Sequence, residues 1–180
     1  MATKNPNART HKKSYKLWWK MRTRCYNIKE LNEKKCYKSV LICDEWQYYE
    51  KFKEWFDKYY IEGWEIDKDL LSVNDIKCYS PDTCCFLPHE LNSFLSTCTH
   101  KPTTKSPHIG VAKTQNKYEA RINTRKGMLY LGRFETLDEA IKVYNKAKKE
   151  RFLQHIENYK DQLEPRVLDA LLKFSKKTFG

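Results

Sequence analysis

The chain has 180 residues, with 35 Lys and Arg against 23 Asp and Glu and a formal net charge of +12 at pH 7. That length holds one ordinary domain or two small ones. No run approaches the ~18 apolar residues that span a bilayer, and the opening MATKNPNARTHKK lacks the apolar core of a secretion signal, so a soluble cytoplasmic protein with no membrane partner is expected.

The charge is segregated, with +9 over residues 1–35, −6 over 36–100 and +9 over 101–180. Basic ends attract a polyanion from a distance and make its binding salt-dependent, although many basic proteins carry only a solvated lysine surface.

Residues 1–13 are polar and basic without periodicity and read as a flexible arm. Leu17, Trp18, Met21 and Cys25 then recur at helical spacing, with Lys16, Lys20, Arg22 and Arg24 on the other faces. This pattern predicts a basic amphipathic helix over 15–26, apolar side in and cations out. The β-branched and apolar run 39–43 predicts a strand. Asp44 is placed to cap a helix carrying Trp46, Tyr49, Phe52, Trp55, Phe56 and Tyr59 at spacings of three and four. An aromatic row can stack on bases, but at helical spacing it reads as core. Gly63 ends that helix, WEIDKDLL is the next strand, and NDIKCYSPD is a turn-rich loop. Pro88 suits the first turn of a short helix, PHELNSFLS, that bears His89 and Asn92.

The stretch 99–108, THKPTTKSPH, has two prolines and no apolar residue and reads as a linker at a domain boundary. Beyond it, residues 109–113, 117–123 and 128–134 predict three strands joined by the short turns TQN and TRKG. Thr136 and Glu139 form a T-x-x-E capping box, and Ala140, Val143, Tyr144 and Ala147 give the following helix a narrow apolar stripe for one face of the sheet. A last helix, from Arg166 to about residue 176, follows Pro165. The expected class is α+β. A small N-terminal α/β unit spans 14–98, a three-stranded antiparallel sheet packed on a helix spans 109–162, and a C-terminal helix lies within 163–180.

Seven cysteines at 25, 36, 43, 78, 84, 85 and 98 contain no C-x-x-C pair, which argues against a disulfide framework and a zinc ribbon. Cys84, Cys85, His89, Cys98 and His100 offer thiolate and imidazole, but not at a zinc-site spacing, and no zinc is expected.

If the helix covers one face of the sheet, the other is free. On the middle strand Tyr118, Ala120 and Ile122 alternate with Glu119, Arg121 and Asn123, so the second set faces out. Arg donates two bonds to the major-groove edge of guanine and Asn pairs similarly with adenine, which makes Arg121 and Asn123 the candidates for base readout. Lys113, Lys117, Arg125 and Lys126 are the candidates for phosphate contacts, which position without specifying sequence. The partner this predicts is double-stranded DNA.

In this region G-V, K-Y-x-A-x-I, LGRF and the T-x-x-E-A helix start (Thr136, Glu139, Ala140, with Tyr144 and Ala147) resemble the Apetala/ethylene-response-factor DNA-binding domain. The resemblance covers about a quarter of the chain and implies a three-stranded sheet in the major groove with a helix behind it. It assigns DNA contacts to Tyr130, just before the Leu-Gly pair, to Arg133 within LGRF, and to Arg121 and Asn123. Ala112 stands where the plant proteins usually carry an Arg contact, and the first hairpin is one residue shorter, so their sequence preference does not transfer.

The first hundred residues, through YKLWWKMRTRCYN, the CDEW run, WEIDKDLL and YSPDTCCFLPHELN, resemble the amino-terminal part of phage proteins that join this module to an HNH (His-Me finger) nuclease unit. The resemblance implies a ββα-like core with flanking helices. It makes Asp67 the metal Asp and Asn92 the helical Asn ligand, and it puts Lys68 where the general-base His belongs; the intermediate Asn falls near Tyr79. A neutral imidazole accepts a proton from water near pH 7, whereas a lysine side chain is ordinarily protonated already. His89, one turn from Asn92, is the nearby imidazole that can take its place. Asp67, Asp69 and Asn92 can offer oxygen ligands to Mg²⁺ for phosphodiester hydrolysis; the alternative is a salt-bridged strand end in which Lys68 neutralises two carboxylates. The expectation is a phage or mobile-element DNA-binding protein, in the bacterial host cytoplasm, whose HNH-like unit is degenerate in catalysis. The alternatives are an active metal-dependent homing-type endonuclease and a phage inhibitor that binds a host protein through its acidic middle.

Overall fold

The computed structural model describes residues 6–26, 40–72, 77–98, 108–124 and 127–179, with side chains from Lys12 onward in the first helix. The chain divides into two compact units, Met1–His89 and Glu90–Gly180, and the described residues mix five α-helices with strands in three sheets.

Aromatic side chains organise the first unit. Helix α1 (Pro6–Tyr26) begins at a proline, whose missing N–H has no partner to lose in a first turn. Residues 6–13 of the expected arm are therefore helical. The run 39–43 supplies only the short strand β1 (Leu41–Ile42). Asp44 does not cap the aromatic helix. It precedes a single 3-10 turn, Glu45–Gln47, and makes no side-chain cap bond. That turn drives Trp46 into the core, and helix α2 (Tyr49–Tyr59) starts only afterwards, from the extended Tyr48. Strand β2 (Glu65–Asp67) lies within WEIDKDLL as expected.

Two strands went unread in the sequence. Cys78–Tyr79, inside the stretch expected to be loop, forms β3 and pairs parallel with β1. Cys85–Leu87 forms β4, antiparallel to β2, and is buried at every position, so it has no alternation to betray it. Phe86 on β4 stacks on Trp55 with centroids 4.9 Å apart, and Trp46 meets Phe52 edge to face at 5.0 Å. The aromatic row is core, as its spacing predicted. Helix α1 docks through its own polar atoms. Trp18 Nε1 donates to the Trp46 carbonyl at 2.8 Å, and Arg22 donates to the Gln47 carbonyl at 3.1 Å and to its Oε1 at 2.8 Å. Arg22 thus turns inward, because the 3-10 turn offers it acceptors.

The second unit begins within helix α3 (His89–Cys98). Its sheet runs β5 (Val111–Thr114), β6 (Lys117–Thr124), β7 (Gly127–Phe134), antiparallel throughout. Helix α4 (Leu137–Tyr159) opens on the predicted capping box, in which Thr136 Oγ1 accepts from the Glu139 N–H at 3.3 Å and Glu139 accepts from the Thr136 N–H at 3.2 Å. Ala140 and Tyr144 lie on Val111, Ala120 and Ile122. Gly110 has φ +78°, and a Cβ there would stand 1.9 Å from the Tyr144 ring, so only glycine lets the chain enter β5 under that ring. Farther along, α4 packs with helix α5 (Pro165–Phe179): Phe152, Ile156, Val167 and Leu171 are buried, and Phe94 of α3 stacks on Phe152 at 4.7 Å. Residues 90–98, expected in the first domain, therefore join the second unit. The expected linker lies outside the described residues except for His108.

Candidate nucleic-acid interface

Helix α4 covers one face of the β5–β7 sheet and leaves the other open. Ala120 and Ile122 are buried, while Arg121 and Asn123 are exposed, the alternation expected for this strand. Strand β5 pairs with β6 only as far as Ala120. The Arg121 N–H still donates to the Gly110 carbonyl at 2.8 Å; from Ile122 onward β6 has β7 alone for a neighbour, so the hairpin continues as a two-stranded ribbon ending at Thr124 and Gly127. Three residue pairs at roughly 3.4 Å per residue make it about 10 Å long. Gly127, with φ +111°, closes the turn together with the bond from Thr124 Oγ1 to its carbonyl at 2.7 Å.

A register shift sets what the ribbon displays. Ala120 pairs with Gly132 and Arg121 with Tyr130, so Leu131 is the extra residue of a β-bulge. Regular alternation would have placed Tyr130 on the helix side. With the bulge, Leu131 packs into the core and Tyr130 shares the open face with Arg121, whose guanidinium lies 5.9 Å from its ring. Met128 pairs with Asn123 on the same face, and Met128, Leu129 and Tyr130 are each more than half exposed. The one sequence signal for this bulge was Gly132 inside an apolar run.

The cations of the open face are held by light contacts. Arg121 Nη2 donates to Glu119 Oε2 at 2.6 Å, Lys117 pairs with Glu135, and Arg133 donates to Gln115 Oε1 at 3.2 Å. The Lys117 and Arg133 contacts are exposed and stabilise by about 0–1 kcal/mol, so either cation can exchange its partner for a phosphate at small cost, while the Glu119 side chain that holds Arg121 is itself only 14% exposed. Lys113 is different. Its register partner is Tyr118, on the side of the core, which puts it at the sheet edge away from Arg121. Arg125 and Lys126 lie outside the described residues.

The sites drawn from the first hundred residues come together only in part. Asp67 ends β2, and its Oδ1 accepts the N–H of Asp69 at 3.0 Å and of Leu70 at 2.8 Å. Burial pushes the Asp67 carboxyl above the usual carboxylate range, and those two backbone bonds oppose the shift. Lys68 Nζ pairs with Asp69 Oδ1 at 2.5 Å and lies 5.9 Å from the Tyr79 ring centroid, with its side chain largely shielded. His89 Nδ1 is 2.9 Å from Glu65 Oε1 and stands in solvent, while Asn92 belongs to the second unit. Asp67 Oδ1 thus closes its own turn through backbone N–H groups, and Asp69 Oδ1 is paired with the neighbouring lysine. Among the described residues, no three His, Cys, Asp or Glu side chains form a group able to hold a metal ion. Burial pushes the Cys25 thiol up to about 11 and the Cys84 thiol up to about 12, so both stay protonated at neutral pH and pack as small apolar groups.

No family model, no curated protein and no solved structure matches this chain, and its functional reading rests on the geometry of the ribbon and of the Asp67 turn.

Proposed function

We propose that the second unit binds duplex DNA by inserting the β6–β7 ribbon into the major groove. The observation that carries this is the ribbon itself. Beyond β5 the hairpin narrows to two strands, the width that a major groove about 12 Å across admits, and it presents Arg121, Asn123, Tyr130 and Met128 on one open face. Arg121 and Asn123 read base edges, Lys117 and Arg133 neutralise phosphates farther back, and Tyr130 packs against the groove wall. The acceptors that now hold Arg121 and Lys117 are the ones a phosphate or a guanine would replace. The chain is then a phage or mobile-element DNA-binding protein, with a first unit that is HNH-like and degenerate in catalysis. The closure of the turn by Asp67 on backbone N–H groups, and the pairing of Lys68 with Asp69, support that last element.

Titrating labelled duplexes against the protein tests this reading. Arg121→Ala is expected to cost about 1–3 kcal/mol on the preferred duplex and little on a scrambled one. Lys117→Ala is expected to weaken both alike and to lower the salt slope by about 1. Unchanged affinity in both variants rejects the reading.

A second reading, a Mg²⁺-dependent endonuclease, draws on the order β2, β4, α3, which follows the strand, strand and helix of a ββα unit. Nicking of supercoiled plasmid in Mg²⁺ or Mn²⁺ that disappears in Asp67→Ala would establish it. Intact plasmid at high protein concentration leaves the degenerate reading standing.

A further inference from the structure

The solvent face of α1 carries a feature that duplex binding by the ribbon does not use. Lys12, Tyr15, Lys16, Trp19 and Lys20 are all exposed along two turns of this helix, on the side opposite the buried Met21 and Cys25. Trp19 is 57% exposed although the neighbouring Trp18 is turned inward and bonded to the Trp46 carbonyl. Tyr15 is 46% exposed and has its edge on Tyr49, with centroids 5.2 Å apart, which fixes its ring while leaving one side in solvent. The helix packs elsewhere through Trp18, Met21 and Arg22, so nothing in its folding requires a second indole to face water.

We infer that this face is a binding site for unpaired nucleic acid. Charge and shape select that partner. Lys16 and Lys20 are one helical turn apart, about 6 Å along the axis, and lie beside the exposed Trp19, three residues before it and one after. A cation, an aromatic plane and a cation in sequence match a phosphate, a base and a phosphate along a single strand. Base stacking on an exposed ring is insensitive to sequence and needs a base freed from its pair, which an intact duplex does not offer. An anionic membrane surface would take the same charge, but it calls for a continuous apolar stripe between the lysines, and the apolar stripe of α1 is buried in the core. The inference is independent of the ribbon, since every residue it uses lies in the first unit.

Binding of a short oligo(dT) strand to the full chain tests it, followed by anisotropy of the labelled strand and by tryptophan fluorescence. The oligo is expected to bind and to quench the emission of Trp19. Trp19→Ala is expected to weaken binding about tenfold or more, Trp19→Phe to retain most of it, and Lys16→Gln and Lys20→Gln each to lower the slope of log affinity against log salt by about 0.7. Because Trp19 is exposed, thermal unfolding of these variants should match the parent, and duplex affinity should keep its dependence on Arg121. Oligo affinity unchanged in Trp19→Ala, or binding of phosphatidylserine vesicles but not of oligo(dT), overturns the inference. Loss of duplex binding in Arg121→Ala with oligo binding intact upholds it, and the failure of the ribbon reading alone leaves it untouched.

Discussion

The two units solve the same problem, a small core, in opposite ways. The first has strands of only two or three residues and fills its interior with large rings, Trp46, Phe52, Trp55, Phe56 and Phe86. The second has two strands of eight residues and closes helix on sheet through Ala120, Ala140 and a glycine under Tyr144. In the first, stability resides in interlocked rings, and short strands are enough because side chains rather than ladders set the positions. In the second, backbone pairing sets the positions and small residues permit the approach. A unit of the second kind can leave one sheet face bare, since its core needs only the other. That is why the open sheet face lies there.

Phe52 and Gly110 test the two cores separately, the one by lost mass and the other by lost room. Phe52→Ala deletes a fully buried ring that touches Trp46, Trp55 and Phe56, and should cost the first unit about 3–5 kcal/mol. All five tryptophans, at 18, 19, 46, 55 and 64, lie in the first unit, so the loss is read from the urea midpoint of tryptophan emission. Gly110→Ala acts on the second unit. Its new methyl must displace the Tyr144 ring at a positive φ, at a cost of about 2–4 kcal/mol, which should appear in the circular dichroism midpoint and leave the tryptophan midpoint unmoved. If both variants shift both midpoints together, the units unfold as one and the comparison fails. A milder test of the second unit is Thr136→Ala, which removes the capping box of α4 and should cost about 1 kcal/mol by the same measurement.

The same contrast explains what the sequence disclosed. The second unit was legible because its strands alternate and its helix begins on a box of two named residues. Strands 111–114, 117–124 and 127–134 fall where residues 109–134 predicted them, and Arg121 and Asn123 face out as their parity required. What stayed hidden there was one extra residue. The bulge at Leu131 decides which face Tyr130 serves, and register is a pairing property that no single strand records. In the first unit the helices were legible from their apolar spacing, but β3 and β4 were not, since two or three buried residues carry no period. The Asp44 cap failed for a related reason: burying Trp46 outweighed a capping bond, and the chain spent a 3-10 turn to do it. The Asp67 motif was visible as D-K-D, yet whether a carboxylate caps its own turn or faces a ligand depends on backbone bonds that a sequence does not show.

Asp67 Oδ1 accepts two backbone N–H groups, which an amide oxygen can do equally well, while burial disfavours the charge. A carboxyl whose folded pKa is raised binds more protons folded than unfolded, so between the unfolded and folded values stability falls as pH rises, and the ionised form is a cost at neutral pH. Asp67→Asn keeps the acceptor and drops the charge. It should match or exceed the parent in urea midpoint at pH 7 and lose that advantage as the pH falls below the ordinary carboxylate range. Asp67→Ala removes the acceptor too and should be about 1 kcal/mol less stable than Asp67→Asn at any pH, since neither replacement titrates. If Asp67→Asn is instead the less stable protein, and adding Mg²⁺ stabilises the parent but not the variant, the carboxylate is there to meet a cation rather than to close a turn. The aromatic unit would then hold a catalytic site after all.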